Sequence, residues 1–335
     1  MELNKAPLFS SPRIVYSNFL HLRDPRETVK KIIDDLLSIP RTISSTLLYD
    51  DVGSKLFQQI TRLPEYYLSR IESELIREFS QSCKNFLHNL DIIELGSGDC
   101  SKISIILDSI DPRNFHSICY LPVDISSQSL KESAEVLVAK YPEIRVHCIA
   151  ADFLGDFFSL PHKRKRLFCF FGSTIGNFPS MQRVELLRRV SSQMESGDLF
   201  LLGVDMVKKV NDLEKAYNDH NNITASFNRN ILNVVNSIIG SNFNPLLFEH
   251  HAHFNRDLCC IEMYLKAQKA MAISIPCIGS EILIDRLETI RTESSFKFTV
   301  DVISEDIKAA GLKIDLHRTD SSNWFSLFQL SKEAS

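Results

Sequence analysis

From about residue 92 to residue 204 the sequence alternates between short, unbroken apolar runs and longer segments of helical period. This alternation limits the fold more than any other feature. Parallel strands are buried on both faces, so they read as continuous apolar runs, and each needs a crossover, usually helical, to reach the next. Strands are expected at 92–95, 118–123, 145–150, 167–171 and 199–204, with helices at 101–110, 127–140 and 180–194. Near the end, 300–310 reads as a helix closed by Gly311, followed by strands at 313–317 and 324–330. The short link between those two strands favours an antiparallel final pair. The expectation is an α/β fold with a seven-strand sheet, the last strand antiparallel.

Residues 205–298 are more than this alternation needs. They include a helical stripe (Phe227, Ile231, Leu232, Val235, Ile238, Ile239, then Gly240) and a hairpin turning at Asn255-Arg256-Asp257. Asp24-Pro25 starts an earlier helix, whose stripe of Val29, Ile32, Ile33, Leu36 and Leu37 stops at Pro40. Ser69 and Glu72 have capping-box spacing. These stretches suggest a second, α+β domain of residues 1–70 and 207–297, set against a sheet domain of 71–206 and 298–335.

With 44% apolar and 24% charged residues and a net charge of −4, the chain has a globular composition without the basic excess of a nucleic-acid binder. The run HKRKR (162–166) is read as a solvated loop. No stretch reaches the roughly 18 apolar residues of a membrane span, and the start lacks a secretory apolar core. Eight cysteines without a CxxC pair fit a reduced, cytoplasmic protein. His250, His251 and His253 invite a metal, but no carboxylate or cysteine stands at ligand spacing, so no metal is expected.

In open α/β sheets, ligands bind at the carboxyl ends of the strands. The first strand runs into Glu94-Leu95-Gly96-Ser97-Gly98-Asp99-Cys100-Ser101-Lys102. Glycines let the backbone turn tightly and approach a ligand, but Ser101 replaces the third glycine of a dinucleotide fingerprint. A plain tight turn remains the other reading. Glu94 fits S-adenosylmethionine, whose tail is an amino acid rather than a pyrophosphate. Asp124, ending the second strand, suits ribose hydroxyls, and Asp152-Phe153, after the third, suits an adenine amine and ring. Each aspartate alone could equally cap a helix.

Several stretches resemble the bacterial L-histidine Nα-methyltransferase family of ergothioneine biosynthesis: YDDVGSKLFQQITRLPEYY (49–67), ELGSGDCSK (94–102), FGSTIGN (171–177), AYNDHNNITASFNRN (216–230) and TESSFKF (292–298). The resemblance implies a Rossmann-like class I methyltransferase domain plus a substrate-binding domain, with S-adenosyl-L-methionine as cofactor. The implied cofactor contacts are Gly96, Lys102, Asp124, Asp152 and Phe153, to which the motif reading adds Glu94 and Gly98. The implied histidine contacts are Tyr49, Phe57, Tyr66, Asn177, Tyr217, Glu293 and Ser295, with Gly172 in the same strand-end motif. Two departures are Leu47-Leu48, where an aromatic pair is usual, and the Asn-rich NDHNN after Tyr217.

Amine methylation needs alignment and desolvation more than an acid–base residue, so no catalytic residue is assigned, Tyr49 and Asn177 being the nearest. The neutral strand end FGSTIGN offers close approach and an amide, while a carboxylate there would hold the amine charged. Asn177 could also be a helix cap, Tyr49 and Tyr66 core aromatics, and Glu293 a surface ion-pair member. The reaction expected is α-N-methylation, extending to trimethylation, of free L-histidine to hercynine by a monomer with a small-molecule substrate. The alternatives are another aromatic amino acid such as tryptophan or tyrosine, a nicotinamide-dependent dehydrogenase, and a cofactor-binding protein without catalysis. Glu293 opposes the first, since indole has no second ring nitrogen to satisfy.

Overall fold

A computed structural model of the 335-residue chain describes residues 13–20, 24–83, 86–152 and 164–333. In chain order the elements are β1 (Ile14–Asn18), α1 (Pro25–Leu37), β2 (Arg41–Thr42), α2 (Asp51–Ile60), α3 (Tyr67–Ser82), β3 (Leu90–Leu95), α4 (Ser101–Leu107), β4 (Ile118–Asp124), α5 (Ser127–Lys140) and β5 (Arg145–Ala150). There follow β6 (Lys165–Phe170), α6 (Ser180–Gln193), β7 (Leu199–Asp205), α7 (Val210–Tyr217), α8 (Ile223–Ile239), β8 (Phe248–Asn255), β9 (Cys260–Ala267), β10 (Met271–Ile275), β11 (Ser280–Ile284), β12 (Thr289–Phe296), α9 (Val300–Ala309), β13 (Leu312–Thr319) and β14 (Phe325–Lys332).

The chain divides into two compact units, Met1–Leu22 with Leu68–Met206 and Phe298–Ser335, and Arg23–Tyr67 with Val207–Lys297. The first carries a sheet ordered β1-β5-β4-β3-β6-β7-β14-β13. Strand β14 runs antiparallel to both β7 and β13, while β3 to β7 pair in parallel. This is the Rossmann-like α/β arrangement with the antiparallel last strand. The apolar runs behave as expected for buried strands: Phe168, Phe170, Phe200 and Phe328 are fully covered.

Three details differ from the sequence expectation. Residues 14–18 form an eighth strand, pairing with β5 from Ile14↔Val146 to Asn18↔Ala150, so they belong to the large sheet rather than to the second unit. Ser69 and Glu72 are no capping box, because α3 already starts at Tyr67 and Glu72 lies inside it, wholly buried. The basic run is not a solvated loop where it is described. Arg166 is 2% exposed in β6 and pairs with Asp198 at 2.9 Å, and Arg164 reaches Asp91 at 3.2 Å. A buried guanidinium is tolerable because a buried carboxylate matches its fork.

The second unit is built on a sheet ordered β2-β12-β9-β8 plus the β10-β11 hairpin. Helix α8 buries Phe227, Asn228, Ile231, Leu232 and Val235 and ends at Gly240, whose φ of +70° is the left-handed turn that glycine adopts without strain. The expected hairpin joins β8 to β9, with Asn255 accepting from the Asp257 and Leu258 amides. Among the described residues, no helix is long and apolar enough to cross a membrane.

Candidate cofactor and amino-acid sites

In the first unit, the strand ends converge on the Gly96–Lys102 loop. Gly96, Gly98 and Cys100 take positive φ (64°, 56° and 58°), so the loop turns sharply before α4. The Gly96 amide donates to the Val123 carbonyl at 2.8 Å, and Ser133 Oγ donates to the Gly98 carbonyl at 3.0 Å. Asp124, at the end of β4, accepts from the Gly98 amide at 3.1 Å and from the Ser126 amide at 2.9 Å. Burial raises its carboxyl above the usual range, and those amides offset part of the shift. Asp152 follows β5, whose Ala150 is the register partner of Asp124. Phe153 lies outside the described residues. Glu94 is 2% exposed and accepts from Tyr120 Oη at 2.6 Å; burial pushes its carboxyl up to about 8.

Strand β6 leads into Gly172, with φ +75°, and Ser173, also left-handed, whose Oγ accepts from the Asp205 amide at 2.9 Å. A short turn, Thr174–Asn177, follows. Asn177 does not cap α6, whose N-cap is Pro179. The Gly172 amide donates to both carboxylate oxygens of Glu72, at 2.8 and 2.9 Å, and Lys102 Nζ pairs with Glu72 Oε2 at 2.7 Å. Sequence reading missed Glu72 as a site residue. Its signal was a lone carboxylate in register with Leu68, Leu75, Ile76 and Phe79 on the buried face of a helix.

In the second unit, four rings form one cluster. Tyr49 meets Phe57 at 5.5 Å and Phe227 at 5.6 Å, and Phe57 meets Tyr66 at 6.1 Å, mostly edge to face. Tyr66 meets Tyr217 at 6.3 Å. Asp50 fixes the start of α2, accepting from the Gly53 amide and from Asn230, both at 2.7 Å, which ties Tyr49 to α8.

Strand β12 carries a bulge between Arg291 and Glu293. Before it, Ile290 opposes Leu265; after it, Glu293 opposes Met263 and Ser295 opposes Ile261. Leu265, Met263 and Ile261 are buried, so the extra residue moves Glu293 and Ser295 onto the covered face. Beyond them Lys297, 3% exposed, donates to Tyr217 Oη at 2.9 Å and to Ser295 Oγ at 3.0 Å, and those two hydroxyls are 3.0 Å apart. Glu293 is 8% exposed, and no described residue hydrogen-bonds to its carboxylate. Burial pushes it up to about 7, with Lys297 pulling the other way. Sequence reading missed Lys297, although it continues the two-residue period of Glu293 and Ser295.

Asn228 supports this set from behind. Its Oδ1 accepts from Thr292 Oγ1 at 2.5 Å, and its amide nitrogen reaches His250 Nδ1 at 2.9 Å. His250 Nε2 sits 2.8 Å from the Tyr217 carbonyl, so it must carry the proton and Nδ1 must accept. His250 is therefore a structural bridge. His251 and His253 stack at 5.4 Å, and among the described residues no cluster of His, Cys, Asp or Glu could hold a metal. Gly172 and Asn177 lie in the first unit, whereas Tyr49, Phe57, Tyr66, Tyr217, Glu293 and Ser295 lie together in the second.

The sheet order, the antiparallel β14 and the loop at the carboxyl end of β3 define a Rossmann-like, S-adenosylmethionine-dependent methyltransferase. Residues 28–332 match a family described as histidine-specific, SAM-dependent methyltransferases, and the chain belongs to that family. It is 34% identical over 312 residues to a histidine N-alpha-methyltransferase of Mycolicibacterium smegmatis, covering 93% of this chain and 97% of that one. A histidine N-alpha-methyltransferase of Mycobacterium tuberculosis is 33% identical over 303 residues, 90% and 94% of the two chains. Ergothioneine biosynthesis protein 1 of Schizosaccharomyces pombe is 31% identical over 244 residues, 69% of this chain and 31% of that protein.

The first unit's residues fit the cofactor. Ser97 Oγ is buried in the loop without a partner among the described residues, and a Cβ on Gly98 would meet none of them within 4 Å, so this loop offers both an unsatisfied polar atom and room. Asp124 keeps acceptor capacity for hydroxyls beyond its two amides, and the Lys102 ammonium suits a carboxylate.

Proposed function

We propose that this enzyme methylates the α-amine of free L-histidine, carrying it to the trimethylated betaine at the start of an ergothioneine-type pathway. The observation that carries the reading is Glu293, a buried carboxylate without a hydrogen-bonding partner among the described residues, next to the Ser295 and Tyr217 hydroxyls and Lys297. Imidazole has one ring N–H and one bare ring nitrogen. An ionised Glu293 accepts the first. The Tyr217 and Ser295 hydroxyls, both accepting from Lys297, are the groups we assign to the second. The rings of Tyr49, Phe57, Tyr66 and Phe227 supply an apolar, water-poor wall, which favours a neutral, nucleophilic amine. S-adenosylmethionine, when bound, supplies an electrophilic methyl group; the chain's residues bind, orient and exclude water.

For the cofactor we assign Asp124 to the ribose hydroxyls, Asp152 to the adenine, Lys102 to the amino-acid tail and the Gly96–Gly98 loop to close backbone approach. Glu94, whose carboxyl already serves Tyr120, shapes the loop from inside the sheet. We further read the chain as a cytoplasmic monomer acting on a small molecule, without a nucleic-acid partner, which its net charge of −4 supports. The test is mass spectrometry of the twenty amino acids incubated with enzyme and labelled S-adenosylmethionine. Label is expected on histidine. Preferential labelling of tryptophan or tyrosine overturns the assignment.

A further inference from the structure

Glu72 takes no part in the contacts expected from the sequence, yet three elements are shaped around it. It projects from the buried face of α3 and is 0% exposed. A Cβ on Gly203, in β7, would lie 2.1 Å from Glu72 Oε1, so only glycine there leaves the carboxylate its seat. The Gly172 amide, at the end of β6, donates to both of its oxygens, and a Cβ on Gly172 would come to 3.0 Å from Lys102 Nζ. Lys102 stands in the first turn of α4, its side chain 20% exposed, with Nζ 2.7 Å from Glu72 Oε2. A carboxylate with no access to water is tolerable only when its lone pairs are matched by donors, and here an ammonium and an amide match them.

An ammonium has three hydrogens. Glu72 engages one from the buried side and fixes the direction of the others, on the side of Lys102 that remains open. We infer that Glu72 is a positioning residue for the amino-acid tail of S-adenosylmethionine: it aims the Lys102 ammonium at the tail carboxylate and holds the Gly172 strand end in register with the cofactor loop. A flexible lysine without this anchor loses rotamer freedom whenever it engages an anion, which weakens binding. The anchored lysine has lost that freedom on folding. This inference rests on the cofactor reading and not on the identity of the methylated amine.

The test compares two ligands that share the thioether nucleoside and differ in the tail: S-adenosylhomocysteine, which has it, and methylthioadenosine, which lacks it. Both are titrated calorimetrically into the whole protein. Glu72→Gln keeps an acceptor for Gly172 but replaces the carboxylate with a neutral amide, so the ammonium loses its ionic anchor. S-adenosylhomocysteine affinity is expected to fall roughly 10- to 100-fold, the scale of one charge-assisted hydrogen bond, with methylthioadenosine changed less than about twofold. Lys102→Met should give the same selective loss from the other partner. Gly203→Ala, which displaces the carboxylate from a different strand, should reproduce it if Glu72→Gln does not fold. Equal losses for both ligands mean that Glu72 only supports the fold, and no loss for either means that Lys102 does not meet the tail; both overturn the inference. If the selective loss appears but no histidine is methylated, the histidine reading alone fails.

Discussion

Glu72 and Glu293 invite direct comparison. Each is a buried glutamate with a lysine nearby, one in each unit of the chain. Glu72 is saturated, its oxygens taking the Gly172 amide and the Lys102 ammonium. Glu293 feels the charge of Lys297, whose ammonium donates to Tyr217 and Ser295, and no described residue hydrogen-bonds to its carboxylate. A saturated buried carboxylate belongs to the protein's own architecture. An unsaturated one keeps acceptor capacity that a ligand can fill.

The comparison breaks first in stability. Glu72→Ala leaves an ammonium and a buried amide without their acceptor, and should lower unfolding free energy by about 2–4 kcal/mol, discounted because Lys102 is partly exposed. Glu293→Ala removes a buried carboxylate to which no described residue hydrogen-bonds, and should be neutral within about 0.5 kcal/mol or stabilising. Denaturant titration of both variants checks this; a larger loss for Glu293→Ala reverses the contrast.

Ligand affinity gives the next largest effect. Asp124→Ala should weaken S-adenosylmethionine binding by about 1–3 kcal/mol, since charge-assisted bonds to the ribose are lost. Unchanged affinity in calorimetry removes Asp124 from the site.

Two buried carboxyls also differ from ordinary ones in their response to pH. The carboxyls of Glu94 and Glu293 are raised from 4.5 to about 8 and about 7, both chiefly by burial. Each holds its proton more tightly folded than unfolded. Each therefore contributes stability that is complete below about 4.5 and is lost as pH rises through its folded value. Glu94→Gln should flatten the decline in stability between about pH 5 and about pH 9, measured as unfolding free energy against pH. A slope unchanged from that of the parent protein contradicts the assignment.

Much of the large sheet was legible because buried parallel strands have their own signature: Phe168 to Phe171 and Leu199 to Val204 are unbroken apolar runs, each followed by a helix. The edge strand at Ile14–Asn18 was not, since an isolated five-residue segment gives no hint that it will pair with a strand over a hundred residues away. In the sites, side chains at strand ends were readable from position alone, as with Asp124 and the glycine loop. Glu72 was hidden by its spacing from Ser69, which imitates a helix start. The face on which Glu293 lies depends on a one-residue bulge. Without it, Glu293 would share the face of Arg291, so the two-residue spacing to Ser295 gave their common side but not which side that is.

The central claim is that Glu293 reads the ring N–H of histidine. The measurement closest to it is kcat/KM for histidine and for tryptophan, in the parent enzyme and in Glu293→Ala. Losing one charge-assisted hydrogen bond should lower the histidine value about 10- to 150-fold, and the ratio of tryptophan to histidine should rise, because the change enlarges the pocket and removes a charge that opposes apolar rings. Equal losses for the two substrates would place Glu293 at the shared amino-acid end or in folding, and would contradict the account.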